Sequence, residues 1–215
     1  MNNKTELVVI LDKSGSMHEM TEDTIGGFNS VIEEQKKIEG EVFVTTYLFN
    51  DHADMIHDRL PIGEVPNMDR NTYSTSGCTA LVDAIGEAVE HIEGIHKYAR
   101  KEDIPQHTIF LITTDGLENA SHKYSSADVK KKISVKQEEG WEFIYVAANI
   151  DAVDTARDIG IRESRAVNYR NDTAGNRLKF EAMNKATRTV RASMSLDECT
   201  SWRDDLDKDY KTRGK

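Results

Sequence analysis

The stretch Leu7-Val8-Val9-Ile10-Leu11-Asp12-Lys13-Ser14-Gly15-Ser16-Met17 decides the fold. Its first five residues are an unbroken apolar run, the pattern of a strand covered on both faces rather than the alternation of a strand with one wet face. The run stops at Asp12, and a short polar loop containing a glycine follows. Comparable runs at 42–49, 108–113 and 143–147 predict three further strands, and a short one is expected at 166–169.

Helical patterns lie between the strands. The longest, 79–100, repeats Leu81, Ile85, Val89, Ile92 and Ile95 with a period near that of an α-helix. A second, 24–37, carries Ile25, Phe28 and Ile32, with Thr21 or Asp23 as its expected N-cap. Others are expected at 127–139, closed by Gly140, at 153–159, closed by Gly160, and from 173 to about 194, with Phe180, Met183, Val190 and Met194 on one face. Only Asn50-Asp51-His52 separates the second strand from 53–60, too little chain for a parallel crossover. That segment is therefore an antiparallel partner on the sheet edge, where Pro61 and Pro66 are tolerated. The expected architecture is α/β: a doubly wound, Rossmann-like sandwich with a mostly parallel six-stranded sheet, one antiparallel edge strand and helices on both faces.

The chain has 215 residues, the length of one large domain. A chain of this size buries roughly 70 % of its unfolded surface, enough for a core without metal or disulfide staples. Residues 1–200 are expected to form that domain and 201–215 a charged C-terminal tail. With 38 acidic against 28 basic residues the formal charge is -10, which disfavours binding to a phosphate backbone. Cys78 and Cys199 make no C-x-x-C pair, which removes a zinc knuckle and suits a reducing compartment. The run 7–11 is too short for a signal-peptide core or a membrane span. A cytoplasmic protein with no membrane or nucleic-acid partner is expected.

The chemistry concentrates at strand ends. Asp12-x-Ser14-x-Ser16 leaves the carboxyl end of the first strand, and Thr113-Thr114-Asp115-Gly116 leaves that of the fourth. If those strands are neighbours, in the order 3-2-1-4-5-6, both carboxylates face the crevice where the strand order reverses. Oxygen-only donors suit Mg²⁺ or a similar hard divalent ion. Taken alone, the Asp-Lys-Ser-Gly-Ser stretch reads equally well as a turn capping the next helix.

Together with Ser76-Gly77-Cys78-Thr79-Ala80-Leu81, these motifs resemble the von Willebrand factor A (VWA) domain and its metal-ion-dependent adhesion site, in the form of bacterial stand-alone A domains. The resemblance covers about residues 5–169. It implies that Ser14, Ser16 and Thr79 offer hydroxyls, while Asp12 and Asp115 act directly or through water, on Mg²⁺ with Mn²⁺ or Ca²⁺ as alternatives. The family's usual Gly-Thr is here Cys78-Thr79, a departure that leaves the ligand in place. It also implies a function: metal-dependent binding of a protein partner presenting Asp or Glu, for instance a chaperone-like ATPase or another member of a multi-protein assembly. In some A domains the metal contacts at this Thr change when ligand binds.

Two other function classes share the same site. A metal-assisted hydrolase or phosphoryl-transfer enzyme needs a base near the ion, for which His18 and Lys13 are the nearby candidates; a structural subunit would use the ion to staple loops. No G-x-G-x-x-G, Walker A or G-x-S-x-G motif is present, and a non-enzyme is expected. His91 and His96, five apart on a helix, lie about 140° apart and read as surface residues rather than zinc ligands. Cys78 reads as a small helix-start residue, with a reactive thiol beside the metal loop as the alternative. Glu118, Asn119 and Ser121 read as solvated loop residues, with support of the site as the alternative. Between 162 and 191 stand eight basic and three acidic residues, an excess of +5. That island reads either as a solvated helix face or as a docking patch for an acidic partner.

Overall fold

β1 (Lys4–Asp12) lies at the centre of the sheet because its side chains find apolar cover on both faces. Residues 3–213 are described in this computed structural model. β1 pairs in parallel with β2 (Glu41–Phe49) on one side and β4 (His107–Thr114) on the other. β5 (Glu142–Ala147) and β6 (Ala166–Asn168) continue in parallel. β3 (Ala53–Pro61) closes the opposite edge as the antiparallel hairpin partner of β2, giving the order β3-β2-β1-β4-β5-β6. Strand order, direction and edge are those expected from the sequence.

Alternation along the strands sorts side chains into two cores. Leu7, Val9 and Leu11 point toward α1 (Thr21–Lys36) and α5 (Thr173–Arg191), meeting Phe28, Val31, Phe180 and Met183. Val8 and Ile10 point the other way, toward α2 (Leu81–Tyr98), α3 (Ser126–Glu138) and α4 (Ala152–Asp158), meeting Leu81, Ile85, Val89 and Ile133. Each fully buried aliphatic side chain contributes roughly 1.5–3 kcal/mol relative to exposure. The run 7–11 therefore anchors both layers at once. α1 and α5 approach closely at Gly27, where a Cβ would overlap the Phe180 ring.

Three expectations need correction. α1 starts earlier than its pattern suggested: a 3-10 turn over Gly15–Met20 runs straight into it, so Met20 occupies the N-cap and neither Thr21 nor Asp23 does. The stretch read as a charged tail contains α6 (Asp204–Arg213), and Trp202 and Leu206 are buried in the α1/α5 core. Two apolar residues four apart in a charged segment make too short a repeat to be read as a helix period. Three of the island's eight basic residues, Arg165, Lys179 and Arg191, are buried, while Arg162, Arg177, Lys185 and Arg188 stay exposed. Arg165 is buried between Glu142 (2.8 Å) and Asp197 (2.7 Å), and Arg191 caps α1 by donating to the carbonyls of Gln35 (2.8 Å) and Ile38 (3.0 Å). A guanidinium there satisfies the unpaired carbonyls of a helix C-terminus. Among the described residues no helix is long and apolar enough to cross a membrane.

Candidate metal centre

β1 and β4 deliver Asp12 and Asp115 to the same edge of the sheet because they are parallel neighbours, with Leu11 opposite Thr113. Both carboxylates are buried. Asp12 accepts from the Ser14 backbone N–H (2.7 Å) and the Thr114 hydroxyl (2.6 Å). Asp115 accepts from the Ser16 hydroxyl (2.6 Å) and the Asn171 amide (2.9 Å). The Ser14 and Ser16 hydroxyl oxygens are 3.1 Å apart. Four of the five expected ligand residues thus form one continuous chain, Asp12–Ser14–Ser16–Asp115.

Thr79 is buried on the adjoining loop, held there by main-chain bonds. Ser76 N–H donates to the Lys13 carbonyl (2.9 Å), and Gly15 N–H donates to the Gly77 carbonyl (3.1 Å). Gly77 has φ +74, and a Cβ there would collide with the Asp51 carboxylate, so both conformation and space call for glycine. The β2–β3 hairpin turn props this loop from below: Asn50 donates to the Ser76 carbonyl (3.0 Å), and Asp51 accepts from Cys78 N–H (3.0 Å). On the other side Thr79 and Asn119 exchange two bonds, Thr79 N–H to the Asn119 side chain (2.9 Å) and Asn119 N–H to the Thr79 carbonyl (3.0 Å).

The segment after Asp115 is therefore built into the structure, which corrects its reading as solvated loop. Glu118 accepts from Val82 N–H (2.8 Å) in the first turn of α2, from Ala120 N–H (2.9 Å) and from both N–H (2.7 Å) and hydroxyl (2.7 Å) of Ser121. A carboxylate at a helix N-terminus satisfies free N–H groups and opposes the helix dipole. Sequence reasoning also missed Thr114, Asn171, Asn149 and Tyr73. Asn149 donates to the Asp115 carbonyl (2.9 Å), and the Tyr73 hydroxyl donates to the Asp12 carbonyl (2.6 Å). Thr114 sits beside Asp115 in the quoted motif and was the readable one; the others come from distant loops.

The electrostatics follow from burial. Desolvation pushes the Asp12 carboxyl above its ordinary range against the hydrogen bonds from Ser14 and Thr114, and the nearby Asp115 charge adds to the rise. The four donors named above for the two carboxylates are all neutral. Among the described residues no three His, Cys, Asp or Glu side chains gather as a metal-holding group. A cation here would draw on the serine and threonine hydroxyls as well, and buried carboxylates with hydroxyl donors fit a hard divalent ion. The two candidate bases are engaged elsewhere: Lys13 pairs with Asp54 (2.6 Å), and the His18 ring bonds to the Thr75 hydroxyl (3.2 Å). Nor are the helix histidines free on the surface. His91 lies 2.7 Å from Asp58, and His96 packs edge-on against Trp141 with its ring 3.6 Å from buried Glu6.

Residues 1–154 match the family model described as "VWA domain containing CoxE-like protein". The chain belongs to that VWA family. The family consists of domains that often mediate protein interactions. Several solved structures share the fold at low identity. The vWF domain of the type V pili tip protein Mfa5 from Porphyromonas gingivalis matches with a TM-score of 0.63 and 8% identity, over 88% of this VWA chain and 97% of that one. The ArnB paralog VWA2 from Sulfolobus acidocaldarius matches at 0.56 and 19% identity, over 82% and 44%. Proximal thread matrix protein 1 of the mussel byssus, in a structure with a zinc-occupied MIDAS motif, matches at 0.57 and 14% identity, over 85% and 45%. The VWA chain thus spans less than half the length of the mussel and Sulfolobus proteins. Among curated proteins no sequence matches it.

Proposed function

We propose that this VWA domain is a metal-dependent protein-binding module, with Asp12, Ser14, Ser16, Thr79 and Asp115 holding a Mg²⁺-type ion that a partner's Asp or Glu carboxylate completes. The observation that carries the reading is the pair of buried carboxylates joined through two serine hydroxyls and served by neutral donors. Two acidic and three neutral ligands leave a divalent ion formally neutralised but still attractive to one more anion. When bound, the ion supplies a Lewis-acidic position for an incoming carboxylate. The chain's own residues do the rest. Thr114 and Asn171 orient the two carboxylates, the Gly15–Gly77 bond holds the serine loop against the threonine loop, and Asn119 fixes the Thr79 backbone. Binding rather than catalysis is proposed because Lys13 and His18 are committed to Asp54 and Thr75.

Calorimetric titration with Mg²⁺ or Mn²⁺ tests the site. One site per chain is expected, and Asp12→Ala with Ser14→Ala should lower the affinity by more than about 100-fold, beyond the loss usual for a ligand-orienting neighbour. Unchanged affinity in the double variant removes the reading. Affinity capture of the partner with Mg²⁺ and with chelator then separates a binding module, which releases its partner when the ion is removed, from a structural subunit that does not.

A further inference from the structure

Leu117, two residues past Asp115, is 67 % exposed, and among the described residues it is the one exposed large apolar side chain in a loop that carries a candidate ligand. A lone exposed leucine is ordinary on a protein surface; what distinguishes this one is where and how firmly it is held. Gly116 N–H donates to the Thr114 hydroxyl (3.4 Å), the Glu118 carboxylate accepts from Val82 N–H at the start of α2 (2.8 Å), and Asn119 is tied to Thr79. β4 and β5 run in parallel with Thr114 opposite Ala147, so Leu117 and Ile150 both lie three residues past that pair, at the same edge of the sheet. The loop after β5 is fastened to the metal centre as well, because Asn149, with φ +60, donates to the Asp115 carbonyl (2.9 Å). Ile150 follows directly, half-buried against the α2/α3/α4 core. The other side of the centre, where the 73–77 loop bonds to β1 and to the turn after β2, is polar. Ser16, His18, Ser74 and Ser76 are exposed there, and a cleft of about 330 Å³ is lined throughout by residues with polar groups, Glu22 and Arg70 among them.

We infer that the protein segment which completes the metal centre carries an apolar side chain immediately beside its Asp or Glu, and that this side chain rests on Leu117 and Ile150. This deepens the metal reading above and depends on it. A carboxylate bound at the ion leaves its neighbours in sequence only about 3.8 Å away, Cα to Cα, so they must meet the rim. On the β5 side an aliphatic neighbour removes its own surface and that of Leu117 from water, a gain that grows with the apolar area covered. A polar neighbour placed there gains nothing from the leucine. The two-sided rim therefore also sets a direction: the apolar neighbour lies toward β5 and the polar continuation toward the cleft beside His18. Because Glu118 and Asn119 already fix the loop, Leu117 is presented with little ordering left to be done on binding. The carboxylate supplies attachment and metal dependence, and the leucine supplies discrimination among acidic segments.

The test is NMR titration of the isotope-labelled full chain, at saturating Mg²⁺, with capped glycine-flanked peptides that differ only in their central pair: Glu-Leu, Leu-Glu, Glu-Ser and Gln-Leu. The better of Glu-Leu and Leu-Glu should bind about tenfold more tightly than Glu-Ser, the scale of covering part of one aliphatic side chain, and Gln-Leu should not bind. Leu117→Ser should erase the preference for leucine while Mg²⁺ affinity, melting temperature and affinity for Glu-Ser stay those of the natural chain. Equal affinities for Glu-Ser and both leucine peptides overturn the inference and leave the metal reading intact, and so does a leucine preference that survives in Leu117→Ser. Failure of every glutamate peptide to bind, binding that chelator does not reverse, or binding of Gln-Leu as tight as that of Glu-Leu takes down the metal reading itself. Mg²⁺-dependent dimerisation that Leu117→Ser abolishes would make a second copy of the chain the occupant and overturn the inference equally. If the variant does not fold, the comparison among peptides on the natural chain still decides.

Discussion

Two buried carboxylates, Asp83 on the second helix and Asp12 at the end of the central strand, show what decides the fate of a charge inside a protein. Asp83, in the first turn of α2, accepts from three successive backbone N–H groups, those of His122 (2.9 Å), Lys123 (3.0 Å) and Tyr124 (2.9 Å). Burial pushes its carboxyl up, yet those N–H groups win and hold it below the ordinary range. Asp12 is as deeply buried but accepts from one backbone N–H and one hydroxyl, and its carboxyl is raised. Asp83 is complete as it stands and ties the loop after β4 to α2. Asp12 and its neighbour Asp115 are under-served, which is what a cation site requires.

The largest expected effect breaks this comparison if it fails. Asp83→Ala leaves three buried N–H groups without an acceptor and should destabilise the fold by about 3–5 kcal/mol in urea unfolding. Asp12→Ala, measured in the same way in chelator, should change stability by no more than about 1 kcal/mol, because it removes a poorly solvated charge along with its bonds. Equal losses would place Asp12 among the structural carboxylates. The Asp83 contribution also has a pH window: its folded pKa is depressed, so the stabilisation is present above 3.8 and is lost as pH falls through the folded value. The acid limb of the stability curve should therefore flatten in the Asp83 variant.

A smaller effect sharpens the ligand side. Thr79→Ala should weaken partner capture by about tenfold while weakening metal binding by less than about threefold, provided that the partner distinguishes two states of the loop. Parallel losses in calorimetry and capture would make Thr79 an ordinary ligand. The pair of hydrogen bonds between Thr79 and Asn119 gives this test a second arm. Asn119→Ala frees the loop without touching a ligand oxygen, so it should move partner affinity in whatever direction loop freedom moves it.

The smallest effect concerns sign. In chelator, ionising Asp12 works against folding because its folded pKa lies above 3.8; the penalty is absent below 3.8 and complete above the folded value. Asp12→Asn should thus raise stability by about 1 kcal/mol at pH 7 and leave it unchanged below 3.8. A loss of stability in the Asp12→Asn variant at neutral pH would mean that the carboxylate is better served than its two neutral donors indicate.

Much of this molecule was legible before any coordinates. The continuous run at 7–11 could only be satisfied by cover on both faces, and a three-residue link at 50–52 could only turn back on itself, so a buried sheet with one antiparallel edge followed, while the strand order entered only as a condition that the structure meets. The spacing Asp12-x-Ser14-x-Ser16 and the Asp115 strand end placed the candidate oxygens, because residues leaving parallel neighbours at the same edge must converge. These are local rules of period, spacing and chain reach.

Tertiary structure alone decided which charges are neutral, paired or exposed. Arg165, Lys179 and Arg191 look alike in a basic stretch, yet one is clamped by two carboxylates, one lies between aromatic rings and one caps a helix. Charged α6 gave no visible pattern because its one buried residue, Leu206, together with Trp202 in the turn just before it, is enough to dock it on a core formed elsewhere. Asn171, Asn149 and Tyr73 reach the site from loops whose sequence separation from Asp12 and Asp115 carries no period. Burial, and therefore the energy of a charge, is a property of the whole packed assembly, and no window of sequence contains it.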